Sequence, residues 1–110
     1  MDWAAELQAE FEQAESARAG GNEGRARVCA RRAAGIAVRE FLVRRGEAVP
    51  GGSAYDLLQL LAARTGLDPG LRQAAVYLTL RVDEEFKLPV YVDLFEQARG
   101  LCAGLLGSAK

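Results

Sequence analysis

The apolar positions of this chain recur every three to four residues over most of its length, and no window alternates with period two. Trp3, Leu7, Phe11, Ala14 and Ala17 share one side of a first helix, which Asp2 can cap and Gly20-Gly21-Asn22 breaks. Asn22 can in turn cap a second helix that runs to Arg45. On it Ala26, Ala30, Ala33, Ala37 and Phe41 form one stripe, and Arg25, Arg32 and Arg39 form another at heptad spacing. Gly46 to Gly52, GEAVPGG, is a loop. Ser53 with Asp56 three residues on makes a capping box for a third helix, whose apolar face is Leu57, Leu58, Leu61 and Ala62. Gly66 ends it. Asp68-Pro69 starts a fourth helix with Leu71, Ala74, Ala75, Leu78 and Val82. The pattern breaks around Asp83 to Pro89, and Pro89 opens a last helix carrying Tyr91, Leu94, Ala98, Leu101 and Leu105.

Five helical segments on short links predict an all-α fold. The expected arrangement is an antiparallel four-helix up-and-down bundle with an additional short helix, in which helices one, two, four and five are the long members. At 110 residues the chain suits one domain, spanning 1–110, with one core.

Charge alters this picture through its distribution rather than its sum. The net charge of −1 exerts no global pull toward nucleic acid or membrane. Residues 1–19, however, carry Asp2, Glu6, Glu10, Glu12 and Glu15 against Arg18, a net −4. Residues 20–50 carry seven arginines against Glu23, Glu40 and Glu47, a net +4. The row Arg25, Arg32 and Arg39 could therefore hold phosphate, since each guanidinium can bond two oxygens at once. The plainer expectation is that these arginines pair with the acidic first helix across a helical hairpin, which offsets both charges. The aromatic residues are scattered at core-like positions and do not interleave with the arginines as stacking platforms would.

Candidate chemistry is sparse. The chain has no histidine, which excludes triads built on His, zinc hydrolase sites and most acid–base schemes that work near neutral pH. No catalytic residue, metal site or cofactor is expected. The run Asp83-Glu84-Glu85 offers oxygens to a divalent cation, but three successive side chains diverge, and a solvated helix end is the expectation. Cys29 and Cys102 lie inside apolar helical patterns without a CxxC, which predicts buried thiols in a reducing compartment. The acidic, amphipathic N-terminus is unlike a signal peptide, and no apolar run reaches the ~20 residues of a membrane span. A cytoplasmic protein is expected. Gly35, among Ala33, Ala34 and Ala37, and the pair Gly100 and Gly104 mark places where backbones approach closely. Val28, Ile36, Leu42 and Val43 lie off the alanine stripe, which suits self-association.

In order, these features resemble the HEPN family of small helical bundles, found beside nucleotidyltransferases and in toxin–antitoxin pairs. The alanine-rich ARVCARRAAGIAVREFL is similar to that family's alanine-centred second helix. SAYDLLQLLA resembles its short HDLxxLL helix, with Ala54 or Tyr55 where histidine is common. AAVYLTLRVDEEFKLP and VDLFEQARGLCAGLL resemble the segment before its final helix and that helix itself. The resemblance implies a four-helix core, a homodimer, and a nucleotide or a nucleotidyltransferase-like protein as partner. Ribonuclease members carry an arginine followed four to six residues later by histidine. Here Arg81 is followed by Val82 to Leu88, without one. The resemblance thus implies a non-catalytic binding module, and RNA or nucleotide phosphate on Arg25, Arg32 and Arg39 is the alternative.

Overall fold

A computed structural model describes residues 2–80 and 93–107. Among these the fold is all-α, with α1 (Trp3–Ala19), α2 (Glu23–Arg44), α3 (Ala54–Ala62), α4 (Pro69–Leu78) and α5 (Leu94–Leu106). Each helix starts on a side chain that accepts from backbone amides left free in its first turn. Asp2 accepts from Ala4 N at 3.2 Å, and Asn22 from Arg25 N at 3.1 Å. Ser53 and Asp56 complete a reciprocal capping box on α3, while Asp68 receives Gly70 N and Leu71 N beside Pro69 at N1. Gly21, at φ +81°, makes the left-handed turn that separates α1 from α2.

Two expected boundaries move. The fourth helix is not a long member: α4 has 10 residues, about the length of α3 at 9. It stops at Thr79, whose hydroxyl donates to the Val76 carbonyl at 2.8 Å, while Arg31 of α2 donates from Nε to the Leu78 carbonyl at 2.7 Å. Val82 lies outside the described residues. The last helix begins at Leu94 rather than at Pro89, because Asp93 is extended (φ −93°, ψ 101°) and receives Phe95 N and Glu96 N. Pro89 and Tyr91 also lie outside the described residues.

The second helix is the centre of the packing. Its Ala26, Cys29, Ala30, Ala33, Ala34, Ala37, Val38 and Leu42 are buried, and α1, α3 and α5 all pack on it. Trp3 of α1 lies beside Arg44, and Gln13 of α1 beside Arg25, so α1 and α2 run in opposite directions. Large side chains come from the surrounding helices: Leu57, Leu58 and Leu61 from α3, Leu78 from α4, and Leu94, Leu101 and Leu105 from α5. A smaller cluster joins Ala14 of α1, Cys29 of α2 and Phe95 of α5. There Phe11 meets Phe95 edge-on, with centroids 5.6 Å apart.

Close approach of α3 to α2 depends on Gly35. A Cβ there would lie 2.7 Å from Ala54 Cβ and 2.9 Å from Ala54 Cα. Gly35→Ala is therefore expected to lower stability by about 1–2 kcal/mol, overpacking outweighing the gain in helix propensity. Gly100→Ala, which meets nothing within 4 Å, should raise it by about 0.5–1 kcal/mol. Urea unfolding of the two variants should show opposite signs.

Candidate functional site

Most arginines of the described chain have structural tasks. Arg18 at the end of α1 donates from Nη2 to Asp93 Oδ1 at 2.8 Å and from Nε to Glu23 Oε1 at 3.1 Å. It also lies 5.2 Å from the centre of the Phe95 ring. Arg64 forms a two-pronged pair with Glu47, and it shares the Phe41 ring with Arg45. Arg44 pairs with Glu40 and donates to the Leu106 carbonyl at 3.1 Å. Arg72 ties the Ala62 and Arg64 carbonyls, and so holds α4 against the end of α3. Arg44–Glu40 and Arg45–Phe41 are four apart along the chain, but the Asp93, Leu106, Glu47 and Ala62 partners are supplied by contacts between different segments.

Arg25, Arg32 and Arg39 differ. All three are exposed, on one line along α2. Arg25 donates from Nη2 to the amide oxygen of Gln13 at 3.2 Å. Among the described residues no ion pair joins Arg25, Arg32 or Arg39 to a carboxylate. The expected pairing with the acidic first helix is not formed. Of that helix's carboxylates, Glu12 receives the Gln8 amide, and Glu10 buries Oε1 without a hydrogen-bond partner. The reason is rotational. The face α1 turns toward the bundle is centred on Ala14, which leaves Glu12 and Glu15 in solvent.

At about 100° per residue, Arg25, Val28, Arg32, Ile36, Arg39 and Val43 fall within an arc of about 80° on α2. Val28 and Val43 are 40% and 54% exposed, and Ile36 is half-buried. Cys29, on one flank of the arc, faces Gln13 of α1; Gly35, on the other, faces Ala54 of α3. The arc is thus the floor between two neighbouring helices. Leu42, which by sequence falls off the alanine stripe with Val28, Ile36 and Val43, turns instead into the core at 3% exposure.

A second surface feature is a hollow of about 430 Å³ where α2 meets α3, lined by Leu42, Val49, Pro50 and Leu60 with the Glu47–Arg64 pair at its rim. Among the described residues, no group of three or more Cys, Asp or Glu side chains could hold a metal ion. Nor is any helix there long and apolar enough to cross a membrane. The run Asp83-Glu84-Glu85, and Arg81, which stands where the ribonuclease arginine is expected, lie outside the described residues. Comparison with protein-family models, curated proteins and solved structures returned no match for this chain.

Both cysteines are free and buried, as their apolar settings predicted. Burial pushes the Cys102 thiol up to about 12. Neither thiol should react with a bulky aromatic disulfide reagent in the native state, and both should react in denaturant. A second expectation concerns Asp93, whose hydrogen bonds from Arg18 hold its carboxyl below the usual aspartate range, against some desolvation. A depressed folded value adds stability above the unfolded value of ~3.9, lost as pH falls through the folded one. Asp93→Asn keeps a capping oxygen but not the charge. It should cost less than about 1 kcal/mol at pH 7, the scale of an exposed pair, and the difference from wild type should shrink as pH falls below the usual aspartate range and disappear once Asp93 is protonated in the folded state.

Proposed function

We propose that this chain is a non-catalytic, HEPN-like module that works by binding. In this reading it has an antiparallel four-helix core with one additional short helix, forms a homodimer, and acts on a protein partner, nucleotidyltransferase-like in type, or on a nucleotide. The observation that carries it is the arginine row of α2: exposed, with no carboxylate partner among the described residues, and interleaved with exposed valines. Charges that served only the fold would be expected to find partners within it, as Arg18, Arg44 and Arg64 do. The order of capped helices and the alanine-rich second helix support the family part of the reading. The lack of any histidine supports its non-catalytic part, since the family's ribonuclease pair cannot be assembled from this sequence.

The second reading is direct binding of RNA or nucleotide phosphate through Arg25, Arg32 and Arg39, favoured by the same exposure. Salt separates the two. Three phosphate contacts to a single strand give a log–log salt dependence with slope of about −2.

Arg32→Glu with Arg39→Glu should leave the melting temperature nearly unchanged, because neither side chain has a partner in the described fold. Thermal-shift titration with nucleotides and a short RNA at two salt concentrations, beside a turnover assay, tests the function. Partner-type binding predicts no turnover and an RNA response that is absent or shallow in salt. A response that is steep in salt and lost in the double variant favours the second reading, and a strictly monomeric chain in light scattering refutes the dimer.

A further inference from the structure

The floor of α2 between α1 and α3 is shaped and charged for one class of occupant. From Arg25 to Val43 it runs for about 27 Å at 1.5 Å per residue, and successive arginines stand about 10 Å apart along it. Gln13 on one flank and Ala54 on the other show that α1 and α3 stand to either side, so an added element would touch α2 from above. The seven-residue repeat of the arginines is the repeat with which one helix presents side chains to another. Val28 and Val43 lie on that same line, and an occupant that left them wet would gain nothing from them.

We infer that this floor takes an acidic, amphipathic helix of a partner protein, laid along α2. Carboxylates at heptad spacing on that helix pair with Arg25, Arg32 and Arg39, and its apolar residues cover Val28, Ile36 and Val43. This rests on the reading of α2 as the binding face, and names the partner for it. A single-stranded nucleic acid fits less well. It would satisfy the guanidinium groups but leave the valines unpaired, and no aromatic residue lies on the arc to stack a base. A second copy laid α2 against α2 fits less well still, because it sets arginine rows against each other with no carboxylate on either.

The test uses the full chain and a fluorescent synthetic helix about three heptads long, with Glu at every seventh position and Leu beside each. Anisotropy should report binding that weakens at least tenfold for Arg32→Glu with Arg39→Glu, and also for Val28→Asp. A peptide with Lys in place of each Glu should restore binding to the double variant, which no loss of fold would do. Melting temperatures of all variants should match wild type. Failure of the acidic peptide to bind wild type, or equal binding by both peptides, overturns the proposal. If a uridine oligonucleotide binds wild type and loses affinity in the double variant while the peptide does not bind, α2 remains the binding face and only the partner class is refuted. A dimer in sedimentation velocity that the double variant dissociates would put a second copy on the floor, which overturns the proposal too. If no probe, nucleotide or RNA responds to the arginines, the reading of α2 as the binding face fails with it.

Discussion

The packing of three helices onto α2 is the constraint on which everything else depends. A helix can accept several close neighbours only where its side chains are short, and Ala26, Ala30, Ala33, Ala34 and Ala37 are all at most 1% exposed. At Gly35 even a methyl group would collide with Ala54. The bulk of the core must then be brought by the neighbours, chiefly the leucines of α3 and α5. A further result concerns charge. With α1, α3 and α5 occupying most of its circumference, α2 has only a narrow arc left for solvated side chains. Arg25, Arg32 and Arg39 are the arginines of α2 that stand on that arc, whereas Arg27, half-buried, lies on another side of the helix.

The local part of this structure was legible in the sequence. Asp2, Asn22, Ser53 and Asp68 cap the helices they were expected to cap, because a cap depends on residues two or three positions away. The alanine stripe is buried as its period required. The rest depended on contacts between distant segments. The fourth helix ends early partly because Arg31, 47 positions away, takes its Leu78 carbonyl. Neutralisation of the arginine row by α1 failed because net charge per segment does not reveal how a helix is rotated. Ala14 sets that rotation, and it carries Glu12 and Glu15 into solvent.

The preference for arginine over lysine, twelve to two, acquires a structural meaning here. Arg31, Arg44 and Arg72 hydrogen-bond main-chain carbonyls at helix ends, and Arg31 and Arg72 each reach two of them with one planar group. Arg18, Arg45, Arg64 and Arg99 lie against phenylalanine rings. A lysine ammonium would do either task less well, since it offers a compact point charge in place of a flat fork. Arg25, Arg32 and Arg39 need no such geometry to be tolerated by the fold, since they stand exposed on α2.

The contact between Arg18 and Asp93 has a bearing on how the chain folds. It spans 75 positions and joins the end of the first helix to the cap of the last. The hairpin of α1 and α2 can form as soon as its own residues exist, since its turn is local. Docking of α5 must close the whole intervening loop, and that entropy is recovered only when Phe95 is buried and Arg18 meets Asp93. During synthesis the hairpin would therefore keep an uncovered flank until α5 has emerged. Docking of α5 then fastens its cap to the end of α1 across the loop that intervenes.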